Sequence, residues 1–201
     1  LGSNMYMTNI YFYIPKQVIL LDLSGILEVF QEAKQLGFDY ELKFVSSSSS
    51  VNCSSGLEFS SLSHFSKHIP TQEDILVIPG LSTRQLNKFI DTNFYEWLKT
   101  ADSNKATICS ICTGAFLLAK SGILNNQDCT THWKFIDKLQ ADFPFINAVK
   151  NQLLYFDKIR FLIDKEDGTR EEQSFQAKIQ YNSENLIVSD TNRYGQPHIV
   201  I

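Results

Sequence analysis

Apolar runs alternating with segments of helical period predict an α/β fold, a doubly wound, mostly parallel sheet flanked by helices on both faces. Three observations carry that expectation. NIYFYI (9–14), DILVIPG (74–80) and ATICSIC (106–112) are dominated by apolar residues, as strands covered on both faces are. The stretches between them place apolar residues three and four apart, the spacing of a helix with one face on a core. Glycine, proline and serine mark the boundaries, at Gly37, at Pro79 and Gly80, and in the serine run 46–50.

Each element follows in chain order. Residues 1–4 precede Met5 and read as a tag remnant outside the fold. NIYFYI is rich in β-formers and reads as the first strand. VILLDLSGILEVFQEAKQLG (18–37) reads as a helix that stops at Gly37, and YELKFVS (40–46) as the second strand. The serine run reads as a surface loop, and VNCSSGLEFSSL (51–62) has a hairpin's turn residues and alternation. DILVIPG is a buried strand ending in Pro-Gly. TRQLNKFIDTNFYEWLKTAD (83–102) reads as one amphipathic helix, and ATICSIC as the next buried strand, running into the helical pattern GAFLLAKSG (114–122). In parallel sheets ligands bind beyond the carboxyl ends of the strands, where Gly80 and Cys112 both fall.

Composition narrows the function classes. The chain has 201 residues, a net charge of −4 and 43% hydrophobic residues, enough for a core that needs no disulfide staples. No dense basic run marks a DNA-binding surface. Four cysteines at irregular spacing do not form a secreted framework, no segment is long and apolar enough to span a membrane, and no leader is visible. A reducing cytoplasm is therefore the expected location.

Cys112 stands at the corner between a strand and a helix. There the first helical N–H groups favour thiolate over thiol, so its pKa is expected to be depressed. Ser110 and Gly114 are small, as close backbone approach at such a corner requires. A buried core cysteine is the alternative. Cys109-x-x-Cys112 followed after sixteen residues by Cys129-x-x-His132 formally matches a zinc site. Zinc ligands sit on tight polar turns, whereas Cys109 lies in an apolar strand, so no metal is expected. A thioredoxin-like pair is disfavoured because Cys109 lies three residues back in the strand rather than at the helix start.

SICTGAFLLAKSGILNNQDCTTHW (110–133) resembles the nucleophile-elbow signature of the ThiJ/PfpI superfamily, the class I glutamine amidotransferase-like fold, in which Ser-x-Cys-Thr-Gly-Ala precedes Thr-Thr-His-Trp. LLDLSGILEVF (20–30) and VIPG (77–80) resemble two further family segments, so the likeness covers roughly residues 9–157. It implies a flavodoxin-like three-layer sandwich over residues 5–184. It also makes Cys112 the nucleophile-position thiol, Thr113 its backbone N–H partner, Gly80 a second oxyanion-loop position, His132 the nearby imidazole and Asp22 the acid close to the sulfur. Alternatively, Asp22 complements a helix dipole and His132 caps the helix THWKFIDKLQ. No cofactor is implied.

Departures from the pattern bear on activity. Ile26 replaces the family's proline after Gly25, and Leu81 replaces its second glycine after Pro79, so the oxyanion loop is expected to be stiffer or displaced. After NQLLYFDKI (151–159) about a dozen residues of the family pattern are absent, and FLIDKEDG (161–168) resembles the helix that follows. NLIVSDTNRYGQPHIVI (185–201), through Arg193, Gly195 and Gln196, resembles the linker between the sensor and helix-turn-helix domains of AraC-type transcription regulators. The apolar ending Ile-Val-Ile reads as an interior point of a longer chain. The resemblance therefore implies a ligand-sensing, homodimeric domain that reaches DNA only through a further domain. A cysteine-dependent hydratase or hydrolase is the alternative, since isonitrile hydratases share the cysteine and Thr-Thr-His-Trp motifs and resemble IQYN (179–182). A redox-sensing thiol protein is the third reading.

Overall fold

The computed structural model describes residues 7–150 and, beyond them, the backbones of five strands between residues 152 and 190. Two compact units divide the chain, Leu1–Asn125 and Asn126–Ile201.

The first unit is built on β1 (Asn9–Tyr13), α1 (Leu20–Gln35), β2 (Glu41–Ser46), the hairpin strands β3 (Val51–Asn52) and β4 (Glu58–Phe59), β5 (Ser63–His64), β6 (Ile75–Ile78), α2 (Thr83–Leu86), α3 (Thr92–Ser103), β7 (Thr107–Ser110) and α4 (Ala115–Ser121). Five strands form one sheet in the order β5-β2-β1-β6-β7, and all its pairings are parallel. Chain order reverses between β1 and β6. That switch point is where the loops leaving two strands part and open a crevice at the carboxyl edge.

Alternation along β1 explains why it lies at the centre. Ile10, Phe12 and Ile14 share a core cluster with Leu23 of α1, against which Leu20, Ile26, Leu27 and Phe30 pack. Tyr11 and Tyr13 point to the other face. There Tyr13 stacks on Phe94 of α3 with ring centroids 4.0 Å apart, and Phe65, Phe89 and Trp97 extend the aromatic layer. The two layers bury the strand on both sides, as its apolar run predicts.

The helix expected over 83–102 is two helices. Asp91 ends the first reading and begins a second, because its carboxylate accepts the Phe94 N–H at 3.0 Å and caps α3. Lys120 of α4 donates to the Leu86 and Phe89 carbonyls at the break, giving the interrupted segment a donor partner. Gly37 ends α1 region with φ +97°, as the sequence indicates.

In the second unit, β8 (Asp128–Cys129) and β9 (Asn147–Ala148) pair in parallel around α5 (Ile136–Asp142). Gln140 of α5 accepts the Ala148 N–H at 2.9 Å and donates to the Ile146 carbonyl at 3.0 Å. Strands β10 (Gln152–Tyr155), β11 (Ile159–Asp164), β12 (Arg170–Phe175), β13 (Ala177–Tyr181) and β14 (Leu186–Asp190) follow, paired antiparallel as β10-β13-β14 and β11-β12. The helix expected over FLIDKEDG is therefore corrected: Phe161–Asp164 belong to β11, whose ladder runs from Ile159 opposite Phe175 to Asp164 opposite Arg170. β-branched and aromatic content outweighs helical likeness there. Leu186–Asp190 of the expected tail form β14, and Arg193, Gly195 and Gln196 lie outside the described residues. Among the described residues no helix is long and apolar enough to cross a membrane.

Candidate functional site

Three connections meet at the carboxyl edge of the first unit's sheet. The loop after β1 and the loop after β6 are tied by a bridge between Val18 and Leu81 and by the Ile19 N–H donating to the Gly80 carbonyl at 2.8 Å. Val18 and Leu81 are fully buried. After β7, Ile111 donates to the Ile78 carbonyl at 2.9 Å, and the chain turns at once through Cys112–Gly114 into α4.

Cys112 occupies the left-handed region at φ +53°, a conformation that costs a non-glycine residue free energy and persists only where the surroundings enforce it. Gly114 is one such constraint. A Cβ at that position would collide with the Ile78 carbonyl oxygen, so only glycine lets the turn pass this close to β6. Gly80 is another. A Cβ there would collide with the Asp22 carboxyl Oδ2 and lie 2.9 Å from Thr113 Oγ1 and 3.3 Å from Cys112 Cβ. The bare backbone of Gly80 is thus the floor on which Asp22, Thr113 and Cys112 converge.

The Asp22 carboxyl and the backbone N–H and hydroxyl of Thr113 are the groups that act on the Cys112 thiol. Burial pushes its pKa up to about 11, the neighbouring Asp22 charge adds to the rise, and the Thr113 N–H only partly offsets them. The depression expected from the helix start is therefore reversed. A three-residue turn followed by a helix of seven residues supplies a weak field, and desolvation beside a carboxylate outweighs it.

The loop after Gly80 is tied down by Thr113. The Leu81 N–H, the donor that the residue after Gly80 would offer, goes to Thr113 Oγ1 at 3.1 Å, and the Thr113 hydroxyl donates back to the Leu81 carbonyl at 2.8 Å. Both side chains are buried. Sequence reading missed this clamp; a threonine directly after the cysteine was its one available signal. The two departures from the family pattern find their places in it. Leu81 fills the space under the loop, and Ile26 packs half-buried against the core on the α1 side.

The remaining candidate residues have these surroundings within their own units. His132 belongs to the second unit, where its Nδ1 accepts the Lys134 N–H at 3.2 Å and caps a short turn, and where its ring stacks on Trp133. Burial raises the Cys109 pKa within β7, and burial together with Asp128 pushes Cys129 up to about 11. Cys53 is fully buried with its sulfur 3.1 Å from the Ser55 hydroxyl. Among the described residues no three His, Cys, Asp or Glu side chains gather as a metal-ligand set.

Known proteins share this architecture. An uncharacterized protein in the cpoL 5'region of Streptomyces lividans is 34% identical over 129 residues, covering 62% of this chain and 87% of that protein. The HTH-type transcriptional regulator GlxA of Rhizobium meliloti is 45% identical over 40 residues, and CdhR of Pseudomonas aeruginosa 34% over 55. Those matches cover 20% and 27% of this chain but only 12% and 16% of the regulators' length. Among solved structures, an AraC family transcriptional regulator from Pseudomonas putida superposes with a TM-score of 0.59 at 16% identity, covering 74% of this chain and 79% of that one. DJ-1 of Schizosaccharomyces pombe gives 0.56 at 15%, covering 74% and 80%, a likeness of fold. The model of the DJ-1/PfpI family matches residues 8–165, and the chain belongs to that family.

Proposed function

We propose that this domain is the ligand-sensing part of an AraC-type transcription regulator, with Cys112 and Asp22 at the floor of its effector site. One observation carries the choice of sensing over turnover: the donors an acyl-transfer site would aim at an oxyanion are committed elsewhere. The Leu81 N–H is held by Thr113 Oγ1, and the Thr113 N–H faces the sulfur. The sulfur itself rests as a thiol rather than a nucleophilic thiolate. Similarity to helix-turn-helix regulators supports the same direction, with DNA contact and homodimerisation supplied by the whole protein.

A cysteine-dependent hydratase or hydrolase is the second reading, favoured by the left-handed backbone at Cys112 and by the Asp22 carboxyl in position to take the thiol's proton. For His132 the support is the sequence motif alone. Thermal-shift screening of metabolites identifies an effector by its stabilisation of the folded state. Wild type and Cys112→Ala are then incubated with isonitriles, amides and α-ketoaldehydes and products followed by mass spectrometry. A sensor gives no multiple turnover, and its effector affinity changes by about 1 kcal/mol or less in Cys112→Ala. Turnover by wild type that vanishes in the variant overturns sensing in favour of catalysis.

A further inference from the structure

Gln17, in the loop leaving β1, occupies the left-handed region at φ +61°, as Cys112 does in the turn after β7. A glutamine holds such a backbone only where its surroundings enforce it. Three hydrogen bonds do so here. The Gln17 N–H donates to the Asn52 carbonyl at 2.7 Å, its side-chain Nε2 donates to the Cys53 carbonyl at 3.2 Å, and the Val18 N–H closes the turn on the Pro15 carbonyl at 3.1 Å. One residue on, the Val18 carbonyl accepts the Ser54 N–H at 2.9 Å. The β3–β4 hairpin is thereby laced to the loop. It is a firm abutment, because Val51 and Cys53 are buried in one core cluster with Val18 and with Leu23 of α1.

The helix that this loop feeds has no side-chain cap of its own. Ile19 stands at the N-cap of α1 and offers no acceptor, so the point where α1 begins is fixed from outside, by the Gly80 carbonyl on one side and by the hairpin on the other. Asp22 lies in the first turn of that helix. We infer that Gln17 is a positioning residue for Asp22 and Cys112: by pinning the loop to the hairpin it sets where α1 starts, and hence where the Asp22 carboxyl stands over Gly80. Small displacements count there, since a single Cβ placed on Gly80 would meet both the Asp22 carboxyl and the Cys112 Cβ. This role rests on the reading that joins Asp22 and Cys112 in one site, and it holds whether that site senses or turns over.

The experiment compares the alkylation rate of Cys112 at about pH 9, resolved by mass spectrometry, in the full chain as wild type, Gln17→Met, Asp22→Asn and the double variant. Methionine matches glutamine in length and lacks the amide donor. Gln17→Met raises the rate about twofold to fivefold, because a displaced carboxylate opposes the thiolate less, whereas in the Asp22→Asn background the same substitution changes it by less than about 1.5-fold. Cys109, in β7, keeps its rate throughout. A parallel rise at Cys109 means general loosening of the fold and overturns the role of Gln17. Equal effects of Gln17→Met in both backgrounds, or none in either, overturn it as well while the pairing of Asp22 with Cys112 stands. Asp22→Asn with the wild-type rate overturns the pairing and the role together. Where Gln17→Met does not fold, Gln17→Gly, which suits φ +61° and also lacks the amide, carries the same comparison.

Discussion

Two aspartates at opposite ends of one parallel sheet receive opposite treatment. Asp74, just before β6, is buried with 3% of its surface exposed, and its two oxygens accept the Asn9 N–H and side-chain amide at 2.9 Å each and the Thr71 N–H and hydroxyl at 2.7 and 3.0 Å. Every donor there is neutral, and together they buckle β1 to β6. Asp22, at the carboxyl edge, instead faces a thiol across a glycine that leaves no room for a side chain. A carboxylate saturated with N–H and O–H donors holds a fold together. One aimed at a titratable partner sets that partner's protonation. The contrast distinguishes the end of the sheet that holds strands together from the end at which the effector site is proposed.

The largest effect expected at the functional end is steric. Gly114→Ala drives a Cβ into the Ile78 carbonyl oxygen, which belongs to the backbone of a central strand and cannot rotate away. A loss of about 3 kcal/mol is expected in urea unfolding, at the upper end of overpacking costs. A loss below about 0.5 kcal/mol would mean that the turn relaxes freely and that its strained backbone is not enforced.

Next come the aspartates themselves. Asp74→Ala removes the buried acceptor of four part-buried hydrogen bonds and should cost roughly 2–4 kcal/mol, with little effect on Cys112 chemistry. Asp22→Ala should cost about 1 kcal/mol or less and alter the titration of Cys112. Urea denaturation of the two variants side by side checks the pair. If Asp22→Ala proves the more destabilising, the division between the two ends fails.

Much of this was legible in the sequence, for reasons that differ by element. Continuous apolar runs gave away β1, β6 and β7 because strands covered on both faces have no polar side to hide them. The break between α2 and α3 was not legible because apolar periodicity runs through Asn87–Asp91, and only the capping bond of Asp91 to Phe94 shows where a new helix begins. The family motif placed Asp22 and Cys112 together, which no spacing rule could do across 89 intervening positions. The direction of the thiol's pKa was misread because a helix start is visible in sequence whereas desolvation is a property of the packed fold. The Thr113 clamp on Leu81 was missed for the same reason.

A smaller effect follows from linkage. The folded pKa of Cys112 is raised from the usual 9.0 to about 11, so the folded chain holds the proton more tightly than the unfolded one. The stabilisation is fully present below pH 9 and is lost as pH rises toward 11. Cys129, raised in the same way, adds to the decline. Urea unfolding across that window should show stability falling with pH and a shallower fall in Cys112→Ala. Identical slopes would mean that the Cys112 thiol titrates alike in both states.

The central claim, that Cys112 rests as a neutral thiol under the influence of Asp22, is tested most directly by the pH dependence of its alkylation, resolved by mass spectrometry, in wild type and Asp22→Asn. The account predicts a wild-type midpoint near pH 11 and a lower one in Asp22→Asn, because the carboxylate's charge contributes to the rise while burial maintains the rest. A wild-type midpoint near or below pH 7, unchanged or raised in Asp22→Asn, would contradict it and restore a preformed thiolate at the turn.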